Sequence, residues 1–304
     1  MQLVDAIDEF LIEQRVRGNA SSTLKDYETK LKFFMKFVGN VDVGDITLHV
    51  CRSYYLHIAE LHENTVTVQT YIRSIRAFLN FLYNNEFIDT DLCRKFKLPK
   101  ARQNVVDILT DDEIESILSV FSGDDFIDVR NRAILSLMLD SGLRLNEVVT
   151  ALRRKLHLKE RFIIVTGKGN KQRAVAFGIN TQKTLERYLE LAPDSERLII
   201  KVSANGSSAP IINTTIKQIF RKLKISSGVA RLHPHLLRHT FATRYLENGG
   251  NIFSLQLLLG HTSLEMVKKY LHLAQTRVRK EFVNYSPLDR HFDEILQRKK
   301  PPQE

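Results

Sequence analysis

Apolar residues recur at helical spacing through the first hundred residues, and this pattern predicts four helices. The segment VDAIDEFLIEQRV has four apolar residues on one face, Val4, Ile7, Phe10 and Leu11. The next, SSTLKDYETKLKFFMKFVG, has Leu24, Tyr27, Leu31 and Phe34. A third helix begins near Thr47, and the fourth turns inward Tyr71, Ile75, Phe78 and Leu82. We therefore expect a compact helical domain over residues 1–98.

A short basic stretch around Pro99 interrupts the helical pattern. Proline cannot continue a helix, and we place a linker at about residues 97–108. The sequence TDDEIESI then predicts a new helix, with Thr110 as its N-cap and acidic residues in its first turn. The chain thus divides into a first domain and a second domain over residues 107–304.

The second domain is predicted to be mostly helical with one strand interlude. RFIIVTGKGNKQRAVAF alternates apolar and polar residues around a turn at residues 167–170, as a β-hairpin with a basic tip does. ERLIIKVS predicts a short edge strand, and helical patterns follow in TTIKQIFRKLKI, LLRHTFATRYLENGG, IFSLQLLLG and SLEMVKKYLHLA. The tail predicts an amphipathic helix at about residues 287–299, with the apolar face Leu288, Phe292, Ile295 and Leu296. The fold class is mainly α with a small antiparallel β-sheet.

Composition narrows the class of partner. The 304 residues have a net charge of +10, and residues 1–100 hold 13 basic and 13 acidic residues, so the whole excess lies in residues 101–304. A basic excess of this size suits a polyanion such as DNA, although many basic surfaces are only solvated. Two cysteines outside any C-x-x-C pair, no signal peptide and no long apolar run lead us to expect a soluble cytoplasmic protein.

Several polar residues in this half match what cleavage of a phosphodiester without a metal requires. Fixed cations must hold the nonbridging oxygens, and arginine does so with two donors of a planar fork. Arg144 lies two residues after Gly142 and three residues before Glu147, whose carboxylate can hold the guanidinium in place. A surface arginine with a simple salt bridge is the alternative. His235 and Arg238 lie three apart and so share one helical face.

The remaining chemistry needs a nucleophile and a proton donor. Lys168 at the hairpin tip is a mobile cation that can protonate a leaving alkoxide. His261 follows Gly260 where an imidazole can donate to a phosphate, and helix capping is its alternative role. Tyr270 is the candidate nucleophile, since a phosphotyrosine bond conserves the energy for rejoining. The histidines at 233, 235 and 239 also fit a zinc site poorly, because no cysteine accompanies them.

The phrases SGLRLNEV, GKGNKQR, HPHLLRHTFAT and LLGHTSLEMVKKY, in this order, closely resemble the motif boxes of the tyrosine recombinase (phage integrase) family. The resemblance covers about residues 107–285, and the first domain is similar to the family's SAM-like core-binding domain. It implies that Arg144 and Arg238 clamp the scissile phosphate, that His235 and His261 donate hydrogen bonds, and that Glu147 supports Arg144. It further implies Lys168 as the general acid, with Lys171 as second choice, and Tyr270 as the residue that forms the 3′-phosphotyrosyl link.

The resemblance also implies partners and an overall plan. Family members form a C-shaped clamp on duplex DNA, synapse as homotetramers, exchange strands through a Holliday junction and need neither metal nor nucleotide cofactor. The two-domain plan is similar to that of Xer-like recombinases, and the tail helix is expected to dock into a neighbouring subunit, with docking onto its own domain as the alternative. On this interpretation several basic residues are candidates for DNA contact: Lys25, Lys30, Arg73, Arg76, Lys171 and Arg173.

Two rival functions stay open on the sequence. A type IB topoisomerase uses similar arginine, lysine and tyrosine chemistry on one duplex without synapsis. A DNA-binding regulator that has kept the fold without the chemistry is the second. The sequence also leaves open the recognised site, chromosome dimer resolution against integration, excision or transposition, and the need for a second recombinase or an accessory protein.

Overall fold

The computed structural model describes residues 1–97, 107–167, 170–203 and 205–260. The chain forms two compact units, Met1–Asn104 and Val105–Glu304. Within the described ranges, no helix combines the length and the hydrophobicity that a membrane span needs. Most of the expected linker, the helical pattern after Gly260 and the tail at residues 287–299 lie outside the described residues.

The first unit is built from helices that begin and end close to where the apolar pattern predicts. Thr47 and Asn64 cap the third and fourth helices, because their side chains accept hydrogen bonds from Val50 N and Val66 N. The helices are α1 (Leu3–Val16), α2 (Ser21–Val38), α3 (Leu48–Leu61), α4 (Thr65–Asn84) and the short α5 (Leu92–Lys95).

An aromatic cluster centres the core of this unit. Phe10 is fully buried and meets the rings of Tyr27, Phe78 and Phe81 at edge-on angles, with centroids 5.1–5.7 Å apart. The predicted inward position of Val4 is wrong, since Val4 is 37% exposed and Leu3 is buried instead. Leu3 N donates to Val41 O at 2.9 Å, which holds the start of α1 against the rest of the unit, while Ile7 and Phe10 are buried as predicted.

The second unit combines seven helices and five short strands among its described residues. Its first helix starts at the predicted cap, where Thr110 and Glu113 form a reciprocal capping box. The helices are α6 (Asp111–Ser119), α7 (Phe126–Ser141), α8 (Leu145–Thr150), α9 (Ile179–Leu191), α10 (Asn213–Ser227), α11 (Pro234–Glu247) and α12 (Ile252–Leu259). The strands are β1 (Leu156–His157), β2 (Phe162–Thr166), β3 (Gln172–Ala176), β4 (Ile200–Val202) and β5 (Ser208–Pro210).

The strands form two separate antiparallel sheets. The predicted hairpin is β2 with β3, in a register that pairs Ile163 with Val175 and Thr166 with Gln172, and β1 adds on the other side of β2. Ile163 and Val175 face the core, whereas their alternate neighbours face outward. The short edge strand expected in ERLIIKVS is confirmed as β4, which pairs with β5 in a two-stranded sheet of its own.

Helix α7 lies in the middle of the second unit and packs against α9 and α11. It was not among the helices that the sequence pattern predicted, because apolar residues surround much of it and leave little amphipathic contrast. It ends at Gly142, whose φ of +61° is left-handed. A Cβ at Gly142 would lie 2.5 Å from Phe241 Cδ1 and 3.0 Å from Leu259 Cδ2, so glycine lets α11 and α12 approach this helix end.

We expect Gly142→Ala to destabilise the protein by about 3 kcal/mol, because it adds steric overlap with Phe241 to left-handed backbone strain. Gly228→Ala is the matched control, since Gly228 has φ +74° and nothing within 4 Å of the added Cβ. It should cost only the strain, about 1–2 kcal/mol. Urea unfolding measures both, and equal losses would show that the close approach at Gly142 is not tight.

Candidate active site

Arg144 stands at the N-cap of α8, where the chain leaves Gly142 and turns into the helix. Its backbone N donates to Glu147 Oε2 at 2.8 Å, and its Nη1 donates to Glu147 Oε1 at 3.0 Å. The contact is the i,i+3 pair that the sequence suggested. The Arg144 side chain stays 33% exposed, so its outer donors can reach a ligand while Glu147 fixes its base.

Glu147 is buried and binds a second arginine more tightly than the first. Arg173 on β3 grips both carboxylate oxygens, Nη1 to Oε1 at 2.7 Å and Nη2 to Oε2 at 2.9 Å. Burial alone raises the pKa of the Glu147 carboxyl, but the hydrogen bonds and charges of Arg173 and Arg144 outweigh burial and hold that pKa below its usual value. The carboxylate is therefore ionised at neutral pH.

Arg173 has a different setting from the DNA contact expected of it. Its side chain is only 12% exposed, and its Nε donates to Leu258 O at 2.8 Å at the end of α12. Nε, Nη1 and Nη2 thus all donate inside the protein. Arg173 is thus held by contacts within the protein, and its expected contact with DNA stays a prediction.

Arg238 on α11 is buried, and its guanidinium points at two helix ends. Nη1 donates to Gly142 O at 2.5 Å and Nη2 to Leu259 O at 2.7 Å. Carbonyl oxygens at helix C-termini carry partial negative charge, and they help to stabilise a cation that would be costly to bury alone. The flanking Leu236 and Leu237 pack into the core, as the sequence pattern predicted.

His235 lies one helical turn before Arg238 and remains accessible to solvent. Partial desolvation, followed by the charges of Arg238, His233 and Arg144, lowers the pKa of its imidazole. Arg238 Nη1 donates to Gly142 O, two residues before Arg144, so Arg144, His235 and Arg238 lie close together although they come from α8 and α11. His235 is therefore neutral at neutral pH and able to donate a hydrogen bond.

The hairpin turn approaches this cluster from the sheet. Gly167 N donates to Lys171 O at 2.8 Å, which closes the turn. A Cβ at Gly167 would lie 3.5 Å from Arg173 Nη1 and 3.6 Å from Glu147 Oε1, so the strand end lies beside the buried carboxylate. Lys171 is exposed there. Lys168, His261 and Tyr270 lie outside the described residues.

The zinc alternative finds no support in the part of the chain that the structure describes. No group of three His, Cys, Asp or Glu side chains in those ranges converges as metal ligands would. His233 is the N-cap residue of α11, and its Nδ1 lies 2.9 Å from Arg231 O. Its ring thus belongs to the local helix start.

The four DNA-contact candidates in the first unit fall into two groups. Lys25 and Arg73 are exposed on α2 and α4, although Arg73 Nη2 also donates to Gln69 Oε1 at 3.2 Å. Lys30 pairs with Asp26 at 2.6 Å and lies over the ring of Tyr71, with its Nζ 5.8 Å from the centroid. Arg76 donates to the carbonyl of Phe96 and ties the end of α5 to α4. Lys30 and Arg76 are thus held by contacts within the unit.

A polar cleft beside the hairpin was not anticipated as a site. It has a volume of about 650 Å³, and the basic residues among its lining are Arg154, Lys155 and Arg197. The signal in the sequence was the run LRRKLHLKER, which is unusually basic for a strand region. This run forms a 3₁₀ turn and only the two-residue β1, so Arg154 and Lys155 stand at the cleft and not in a longer strand.

Comparison with known proteins shows the family of the chain. The chain matches the phage integrase family over residues 107–277 and the phage integrase SAM-like domain over residues 2–98. It is 29% identical over 292 residues to the tyrosine recombinase XerD of Halalkalibacterium halodurans, across 92% of this chain and 97% of that protein. It is 28% identical over 296 residues to the tyrosine recombinase XerC of Bacillus pumilus, across 94% and 96%.

Its fold is also similar to a crystal structure of a lambda integrase tetramer bound to a Holliday junction. The TM-score is 0.70 at 19% identity, over 86% of this chain and 78% of that chain. This likeness shows a common fold. With its family match spanning more than half of its length, the chain belongs to the phage integrase family.

We expect Glu147→Gln to lower the free energy of unfolding by about 3 kcal/mol at neutral pH, because it leaves the guanidinium of Arg173 without its carboxylate. Glu190→Gln is the matched control, since Glu190 forms an exposed pair with Arg187 and should contribute about 0.5 kcal/mol or less. Urea unfolding measures both variants.

The lowered pKa of Glu147 fixes how this difference changes with pH. Its contribution is complete above about pH 4.3, the usual value for glutamate, and is lost as the pH falls through the lower folded pKa. The gap between wild type and Glu147→Gln should therefore shrink in acid. A gap that is absent at neutral pH would contradict the buried ion pair.

Proposed function

We propose that this chain is a site-specific DNA recombinase that cleaves and rejoins DNA through a covalent 3′-phosphotyrosyl intermediate. The observation that carries the proposal is the convergence of Arg144 on α8 with His235 and Arg238 on α11, where Glu147 and Arg173 hold Arg144 in place. Fixed cations of this kind suit the negative charge that grows on a phosphate during cleavage. Membership of the phage integrase family supports the same chemistry.

Each residue has a defined task in this mechanism. Arg144 and Arg238 bind the nonbridging oxygens of the scissile phosphate, and His235 and His261 donate further hydrogen bonds. The phenolic oxygen of Tyr270 forms a bond to phosphorus and loses its proton, while the bond from phosphorus to the 5′ oxygen breaks. That oxygen takes a proton from Lys168, or from Lys171 as the second candidate. The reverse step rejoins the strand.

The two units divide the DNA between them in this proposal. The first, residues 1–98, is the core-binding domain, and exposed Lys25 and Arg73 are its best placed phosphate contacts. The second, residues 107–304, holds the chemistry and the tail helix at about residues 287–299. We propose a homotetramer on two synapsed sites with the tail docked in trans. Such a reaction takes place where the chromosomal or mobile-element DNA lies, in the cytoplasm.

The test is covalent capture on DNA of a sequence that the protein itself selects. A random duplex library is enriched for binding, and the recovered sequence is rebuilt with a nick that lets the cleaved end diffuse away. We expect a protein–DNA adduct on a denaturing gel without added metal, and none with Tyr270→Phe. Tyr285→Phe is the matched control and should form the adduct, because Tyr285 matches no motif box.

The outcomes separate the proposal from its rivals. An adduct with wild type and Tyr285→Phe only identifies the nucleophile, and transfer of the strand to a second duplex then distinguishes a recombinase from a topoisomerase. Selected DNA that is bound but never forms an adduct would overturn the enzyme and favour a regulator. An adduct that persists in Tyr270→Phe would overturn the assignment of the nucleophile.

A further inference from the structure

We propose that Arg173 is a positioning residue that holds the Arg144 clamp and the end of α12 in one arrangement, so that both clamp arginines face the scissile phosphate together. The inference rests on the proposed function and adds to it a residue that never touches DNA. It stands on five contacts that join four elements: α8, β3, α11 and α12.

The first half of the argument is the route from Arg173 to Arg144. Arg173 binds both oxygens of Glu147, and Arg144 Nη1 binds one of those same oxygens, Oε1. Glu147 is only 3% exposed, so water contributes little to holding its carboxylate in place. The direction of the Arg144 guanidinium therefore depends on how Arg173 seats the carboxylate.

The second half is the route from Arg173 to Arg238. Arg173 Nε holds Leu258 O at 2.8 Å, and Arg238 Nη2 holds the next carbonyl, Leu259 O, at 2.7 Å. A Cβ at Gly260 would lie 2.9 Å from Arg173 Cδ, so the chain passes directly against this side chain. Two arginines thus fix consecutive carbonyls in the last turn of α12, immediately before His261 in the sequence.

Only arginine can bind the Glu147 carboxylate with two donors and the Leu258 carbonyl with a third at the same time. Its planar fork offers two parallel donors to the carboxylate while Nε donates in another direction, whereas a lysine offers one compact charge. Arg173→Lys keeps the charge beside Glu147 and loses this geometry. We therefore expect the variant to fold and to bind DNA, with a clamp that is misaligned at the phosphate.

The test compares two substrates that differ at one atom. The first is the nicked duplex described above, and in the second a methyl group replaces one nonbridging oxygen of the scissile phosphate. The neutral methylphosphonate develops less negative charge, so it depends less on a well-aligned clamp. Arg144→Ala serves as the reference for a clamp defect and should lose much more activity on the phosphate than on the methylphosphonate.

We expect Arg173→Lys to form the adduct about 10-fold to 100-fold more slowly than wild type on the phosphate, as a displacement of the clamp would cause. On the methylphosphonate the loss should be within about 3-fold, and the Kd for DNA should be unchanged. Glu147→Asp keeps the charge and shortens the carboxylate arm, and it should show the same substrate dependence. If Arg173→Lys does not fold, the same comparison of substrates is made with Glu147→Asp.

Arg132→Lys is the matched control, because Arg132 also ties two main-chain carbonyls, Phe121 O and Gly123 O, in the same unit. It should behave as wild type on both substrates. An equal loss by Arg173→Lys on phosphate and methylphosphonate, or no loss on either, would overturn the inference. A wild type that forms no adduct overturns the proposed function itself, and this outcome is distinct because it does not involve the variant.

Discussion

The buried carboxylate of Glu147 is the interaction on which the second unit's site depends. A carboxylate taken out of water is costly unless strong donors surround it, and here the donors are the two arginines of α8 and β3. Their geometry ties a helix start to a sheet and, through Leu258, to the end of another helix. The exposed part of the Arg144 side chain is thus held in place by a network of buried hydrogen bonds.

Helix ends supply the rest of the electrostatic frame. Gly142 ends α7 and Leu259 ends α12, and their carbonyls meet at Arg238. The left-handed glycine brings these ends close, and the buried cation keeps them there. His235 stands beside this charge with a lowered pKa, so it is a neutral group among cations. At this site, the backbone geometry of the helix ends therefore also determines where the charged groups lie.

The sequence predicted which residues lie together at the candidate site better than it predicted the contacts that support them. Arg144, His235 and Arg238 could be found because each belongs to a short local motif, and the pairing of Arg144 with Glu147 is also local. The ion pair between Arg173 and Glu147 joins residues that are 26 positions apart, and no local sequence pattern predicts it. From the sequence alone, an arginine on a basic hairpin such as Arg173 predicts DNA contact, and only its burial in the structure points to a supporting role.

The fold shows the same division between local and distant causes. The capped starts of α3 and α6 follow from Thr47 and Thr110, whose effect is confined to the next turn. Helix α7 was missed because burial on most sides removes the periodic contrast. The exposure of Val4 accompanies the contact of Leu3 with Val41, which lies far along the chain and which periodicity cannot express.

The scattered origin of the Glu147 network has a consequence for the safety of the cell. An enzyme that breaks DNA strands is hazardous when it is only partly folded. Here the clamp needs β3, α8, α11 and α12 in place together, so a nascent or damaged chain has the residues for cleavage without their alignment. On the proposed function, the ability to cut DNA therefore depends on the complete folding of the second unit.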